Sequence, residues 1–182
     1  MALTQRAHKL IQTHFTNKPK GIAIDATCGN GHDTEFLCRL GFENVIGFDI
    51  QEQAIKASKL RIEQAQLNAR FIQTGHENMN QHISGEVDCV MFNFGYLPNA
   101  NKDLTTKHDT STHAIEIALD KLSETGLISL MCYPGHAEGA IETNAIKTLL
   151  KSLSLDWNVQ NHLARSPKPT APTLYLITRN KI

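Results

Sequence analysis

Three short stretches of this chain combine residue types that could do chemistry. The first is Asp25-Ala26-Thr27-Cys28-Gly29-Asn30-Gly31, directly after the apolar run 21–24. A buried strand that ends in a carboxylate and spills into a glycine turn presents backbone N–H groups at the mouth of an open sheet. Small side chains there let a ligand touch the main chain. The second is Asp49, closing the apolar run Val45-Ile46-Gly47-Phe48. A carboxylate roughly 20 residues beyond the turn, at the tip of the neighbouring strand, suits the two hydroxyls of a ribose. The third is Asn93-Phe94-Gly95-Tyr96, after the apolar run Val87–Phe92. An asparagine carbonyl and a nearby backbone carbonyl can accept hydrogen bonds from an amine and aim its lone pair, while a tyrosine ring offers a surface on which a splayed base can stack. The tetrapeptide resembles the Asn/Asp-Pro-Pro-Tyr/Phe element of enzymes that methylate amino nitrogens.

The glycine turn reads D-x-T-x-G-x-G. It departs from the G-x-G-x-x-G of NAD enzymes and from the lysine-bearing phosphate loop. A nucleoside ligand without a pyrophosphate fits better, and S-adenosylmethionine is the expected cofactor. Methyl transfer from a sulfonium needs no metal; alignment, desolvation and a neutral nucleophile supply most of the rate. A proton acceptor would help keep an alkylamine in its free-base form, and His108, Asp109 and Tyr133 are equal candidates for it.

Composition bounds the partners. With 182 residues, 41% of them hydrophobic, the chain suits one domain (1–182), its N-terminal helix (1–18) packed on the rest. No apolar run approaches the ~20 residues of a membrane span, and the N-terminus lacks a secretory pattern, so a cytoplasmic protein without a membrane partner is expected. Lys+Arg and Asp+Glu both number 18, which argues against broad affinity for nucleic acid but not against a local basic patch. Cys28, Cys38, Cys89 and Cys132 are scattered, and neither a metal site nor a disulfide framework is expected. Cys28 should lend the turn a backbone group or its small size.

The elements that must hold these residues can be read in order. Residues 2–16 form an amphipathic helix, 21–26 a strand, 33–40 a helix, 44–49 a strand, 51–65 a helix and 69–73 a strand, with a short helical turn after His76. Strand 87–92 precedes the long loop 94–109. Thr110 or Ser111 is expected to cap a helix through Leu122. Strand 127–132, helix 138–153 and strands 157–163 and 173–178 complete the chain. Strands alternating with helices imply right-handed crossovers and a parallel sheet covered on both faces; the last two strands, joined only by a loop, imply one late antiparallel strand. The expected fold class is α/β, a Rossmann-like class I S-adenosylmethionine-dependent methyltransferase with a seven-stranded sheet.

Ligands of such sheets lie beyond the carboxyl ends of the strands. The expected cofactor contacts are therefore Asp25, Cys28, Asn30, Gly31 and Asp33 at the first tip, Asp49, Ile50 and Gln51 at the second, and Gly75 and His76 at the third. Asn93 and Tyr96 at the fourth are the expected catalytic pair. Asp33 could instead only face the helix dipole, and His76 could cap a helix.

The segments Asp25–Thr34, Phe92-Asn93-Phe94-Gly95-Tyr96-Leu97-Pro98, Thr105-Thr106-Lys107, Asp109-Thr110 and Tyr133-Pro134-Gly135-His136 resemble a known family. These are small bacterial methyltransferases first catalogued as rRNA methylases and now understood to act on the aminomethyl group of tRNA wobble uridine (the MnmM/YtqB type). The likeness runs from about residue 20 to 140. It implies that Cys28, Asn30, Asp49, Gln51, Gly75 and His76 line the S-adenosylmethionine pocket, that the partner is the tRNA anticodon stem-loop, that the product is 5-methylaminomethyl-uridine, often 2-thiolated, and that the protein is a homodimer. Two loops depart from the pattern, Pro98–Lys102 and Ala164–Pro172. Lys102, Lys107, Arg165 and Lys168 could form a phosphate-binding patch, and His136 could hold substrate or only satisfy its turn. An rRNA or a small-molecule amine is the alternative substrate, and an inert nucleoside-binding protein the third reading.

Overall fold

The computed structural model describes residues 2–94, 108–163, 168 and 170–180. Its elements are α1 (Leu3–His14), β1 (Ile22–Asp25), α2 (His32–Leu40), β2 (Asn44–Asp49), α3 (Glu52–Gln64), β3 (Arg70–Gln73), a 3₁₀ helix (His76–His82), β4 (Val87–Asn93), α4 (His108–Lys121), β5 (Leu122–Cys132), α5 (Ala137–Ser152), β6 (Trp157–Leu163) and β7 (Thr173–Arg179). The seven strands form one sheet in the order β3-β2-β1-β4-β5-β7-β6. β1 to β5 run parallel, and β7 lies antiparallel between β5 and β6. This is the expected class I arrangement.

Alternation along the strands splits the core into two layers. Ala23, Val45, Cys89, Met91 and Leu127 face α1 and α2, where Ala7, Ile11, Phe15 and Leu37 pack on them. Ile24, Ile46, Val90, Phe92 and Ile128 face the 3₁₀ helix, α4 and α5, through Met79, Ala114, Ile115 and Ile146. Both faces are thus dry, which is why the central strands read as apolar runs rather than alternating ones. Among the described residues no helix is long and apolar enough to cross a membrane.

Three expectations change. Neither Thr110 nor Ser111 caps α4: the helix starts earlier, at His108, and the Ser111 hydroxyl is buried inside it, donating to Glu142 Oε1 on α5 at 2.5 Å. Leu122 leaves the helix and opens β5, paired with Val87. The ladder shifts register between Val87 and Cys89, and Gly126 lets the strand pass close; a Cβ there would lie 2.9 Å from the Asp88 carbonyl. Asp88 itself interrupts the apolar run. Its carboxylate accepts from the Gly21 N–H and the Ser123 hydroxyl, both at 2.7 Å, tying the start of β1 to β5.

Candidate cofactor and amine site at the strand tips

The glycine turn after β1 is built by conformations that other residues resist. Gly29 and Gly31 have φ of 49° and 77°. A Cβ on Gly31 would stand 2.9 Å from the Ser58 main chain, so α3 packs directly on the turn. The Ser58 hydroxyl donates to the Gly29 carbonyl at 2.9 Å, and Arg61 Nε donates to the Asn30 carbonyl at 2.8 Å. The Cys28 N–H donates to the Phe48 carbonyl, and its own carbonyl accepts from Gly31. The Cys28 thiol is buried and burial pushes its pKa up, so it packs as a small side chain and not as a nucleophile.

Asp49 closes the cradle from β2. One carboxylate oxygen accepts from the Gly29 N–H at 3.0 Å, the other from the Gln51 N–H at 2.9 Å. The Ile50 main chain is a further hydrogen-bond partner, and the remaining acceptor capacity of the carboxylate is of the kind that vicinal hydroxyls require. Gln51 sits at the start of α3, its N–H on Asp49, and Ile50 is 53% exposed beside it, an apolar surface next to the carboxylate. At the third tip Gly75 is buried, and the His76 ring packs edge-on against Phe92 and Phe94. His76 is hydrogen-bonded to the main chain at Ala26, burial lowers its pKa, and its Nε2 has no partner among the described residues. A buried, neutral imidazole with an orphaned nitrogen fits a group that accepts from or donates to a ligand.

Asp25 is placed differently from the expectation of a cofactor contact. It is 1% exposed beneath the turn and accepts from the Thr34 hydroxyl at 2.6 Å. Burial first, and then the charge of Asp33, raise its pKa from 3.8 to about 7. Its role is to hold the turn on α2. Asn30 points outward, with its backbone rather than its side chain engaged.

The fourth tip carries Asn93, the last residue of β4. The Asn93 N–H donates to Thr27 Oγ1 at 2.7 Å, which joins β4 to the glycine turn. Asn93 Nδ2 donates to Asp33 Oδ2, and Asp33 Oδ1 meets His8 Nε2 of α1 at 2.6 Å. A carboxylate only accepts, so the amide must turn its NH₂ toward Asp33 and leave its carbonyl oxygen as the available acceptor. Asp33 therefore does more than face the helix dipole. Tyr96 lies outside the described residues, as do Lys102, Lys107 and Arg165; Lys168 is exposed. Of the proton-acceptor candidates, His108 and Asp109 pair with each other at 2.9 Å at the start of α4. Tyr133 is partly buried, and desolvation followed by the charge of Asp33 raises its pKa. His136 caps α5, its Nδ1 accepting from the Gly139 N–H at 3.1 Å.

Sequence reading passed over Ser58, Thr34 and His8. Ser58 could have been found: it is a polar residue in the buried stripe Ala54, Ile55, Ser58, Ile62 of α3, where a hydroxyl needs a partner. His8 had no such signal, because its partner lies on another helix.

Sheet order, glycine turn and acidic second strand tip together define a class I S-adenosylmethionine-dependent methyltransferase fold. A family model described as "Putative rRNA methylase" matches residues 45–178, and the chain belongs to that family. It is 31% identical over 173 residues to the "tRNA (mnm(5)s(2)U34)-methyltransferase, chloroplastic" of Arabidopsis thaliana; the match covers 87% of this chain but spans only 63% of that protein. The "putative rRNA-methylase" of Clostridium thermocellum superposes with a TM-score of 0.91 at 32% identity, covering 97% of both chains. A "putative methyltransferase" from Streptococcus mutans, solved with SAH, superposes with a TM-score of 0.84 at 30% identity, covering 94% of this chain and 97% of that one.

Proposed function

We propose that the protein N-methylates the 5-aminomethyl group of uridine, commonly 2-thiolated, at the tRNA wobble position, using S-adenosylmethionine and giving 5-methylaminomethyl-uridine. The observation that carries this reading is the Asn93 amide, held by Asp33 at Nδ2 and with no partner for its carbonyl oxygen among the described residues. That end suits an amine and not a carbonyl or phosphate oxygen, since it can only accept. The name of the Arabidopsis relative supports the substrate.

When bound, the cofactor supplies an electrophilic methyl on a sulfonium. Asp49 would take its ribose hydroxyls, Ile50 would cover one face of the base, and the Gly29–Gly31 turn would accommodate the amino-acid end. Asn93 would accept from one amine N–H, which directs the nitrogen lone pair away from Asn93 and toward the methyl. Transfer would form one N–C bond for the S–C bond broken, with the S–C electron pair remaining on sulfur and the proton released from nitrogen passing to solvent. Tyr96 is proposed as the stacking surface for the uracil. The anticodon stem-loop as partner, a homodimer and a cytoplasmic setting belong to the same reading.

An amine of rRNA is the second reading. It is favoured by the family's description and by the match, 29% identical over 84 residues, to a ribosomal RNA small subunit methyltransferase H of Clostridioides difficile. The experiment uses tRNA from cells lacking the wobble methylation. Mass spectrometry of the position-34 nucleoside, before and after adding protein and cofactor, is expected to show the gain of one methyl. No gain there, with methyl incorporated into rRNA, would transfer the assignment to the second reading.

A further inference from the structure

We infer that His8, on α1, is a positioning residue for methyl transfer: through Asp33 it fixes which end of the Asn93 amide meets the incoming amine. The inference rests on the amine-methylation reading above.

An asparagine amide has two ends of nearly equal shape. Turned over, it would present N–H groups to the amine and block the lone pair that must attack. Asn93's own backbone, anchored on Thr27, does not choose between the two, because rotation about the last side-chain bond is soft. Asp33 chooses, by accepting from Nδ2. Asp33 is useful only while its carboxylate plane is itself held, and His8 Nε2 meets its other oxygen at 2.6 Å. The His8 ring is held in turn, stacked on Phe36 of α2 with centroids 3.9 Å apart and planes within 2°. Three elements that are distant in sequence, α1, α2 and β4, thus meet in one chain of contacts ending at the reacting group.

The surroundings give the device something to prevent. A small cavity behind Asn93 is lined by Thr4, His8, Asp33, Asn93 and Ser129 together with apolar neighbours. A carboxylate released by His8 can rotate toward these polar groups, and Asn93 would then lose the partner that orders its amide. The contact requires only that His8 donate from Nε2, which either the neutral tautomer protonated there or the cation satisfies.

Two substitutions separate ring packing from hydrogen bonding. H8F keeps a ring against Phe36 and loses the donor; H8Q restores a donor and loses the ring. With wobble-unmethylated tRNA, H8F is expected to lower kcat about tenfold or more while leaving KM for S-adenosylmethionine within about twofold, and H8Q to recover part of kcat. Unchanged kcat in H8F, or kcat and cofactor affinity falling together, would overturn the inference. A second readout needs no substrate. The side-chain amide resonance of Asn93, assigned by its loss in N93D, should shift or broaden in H8F and return toward the wild-type position in H8Q; an unmoved resonance in H8F would equally overturn it. If H8F does not fold, H8L takes its place in both measurements. Wild-type protein that adds no methyl to the aminomethyl-uridine would defeat the substrate reading, while the resonance still decides the role of His8.

Discussion

At the scale of single residues, the candidate site divides into groups proposed to face a ligand and groups that face the protein. Asp49 belongs to both on the proposed reading, since the Gly29 and Gln51 N–H groups orient it and its remaining acceptor capacity would serve the ribose. Asp49→Ala should weaken S-adenosylmethionine binding by ~1–3 kcal/mol, read by calorimetry, the loss expected for hydrogen bonds to a charged acceptor. Unchanged affinity would remove the ribose assignment. Asn93→Ala should leave cofactor affinity intact and depress turnover; parallel losses in both would make Asn93 a wall of the pocket. Asp25 faces only the protein, and its consequence is a pH dependence. With a pKa raised from 3.8 to about 7, the folded state holds a proton that the unfolded chain releases. The stabilising contribution is complete below the unfolded value and is lost as pH rises through about 7. Asp25→Asn removes the titration while still able to accept from Thr34. Its denaturant midpoint should gain on the wild type at pH 8 relative to pH 5, and parallel profiles would refute the assignment.

At the scale of elements, the turn between β1 and α2 is pinned from three sides, by α3 through Ser58 and Arg61, by β2 through Asp49 and by β4 through the Asn93 N–H on Thr27. Gly31 is where this crowding meets a left-handed conformation. Gly31→Ala should cost at least ~1–2 kcal/mol of stability from the backbone alone, and more because the new methyl meets the Ser58 main chain. Urea denaturation and cofactor titration would show both losses; a variant of wild-type stability would mean that α3 can move away from the turn. The same elements show why local reading succeeded here and failed at α4. Glycines, a strand-terminal acid and an apolar run are local signals with local causes. Ser111 carries the signature of a cap, yet its hydroxyl is committed to Glu142 on another helix, a partner that no window of sequence contains.

At the scale of the whole molecule, α1 is more than a cover. Phe15 is fully buried and meets Phe42 edge-on, 5.0 Å between centroids, closing the layer that also holds Ala7 and Ile11. Phe15→Ala should destabilise by about 3–5 kcal/mol in chemical denaturation, the usual cost of emptying a large aromatic site. Composition and order of elements by themselves determined the α/β class, the strand count, the late antiparallel strand and the tips at which chemistry gathers, because periodicity and glycine placement are written residue by residue. Tertiary structure alone decided that Asp25 is buried, that Asp49 is held by main-chain donors, that His76 Nε2 has no partner among the described residues and that His8 reaches Asn93 through Asp33. Those facts depend on which side chains meet after the sheet has assembled, and a hydrogen bond between residues sixty apart leaves no trace in the spacing of either.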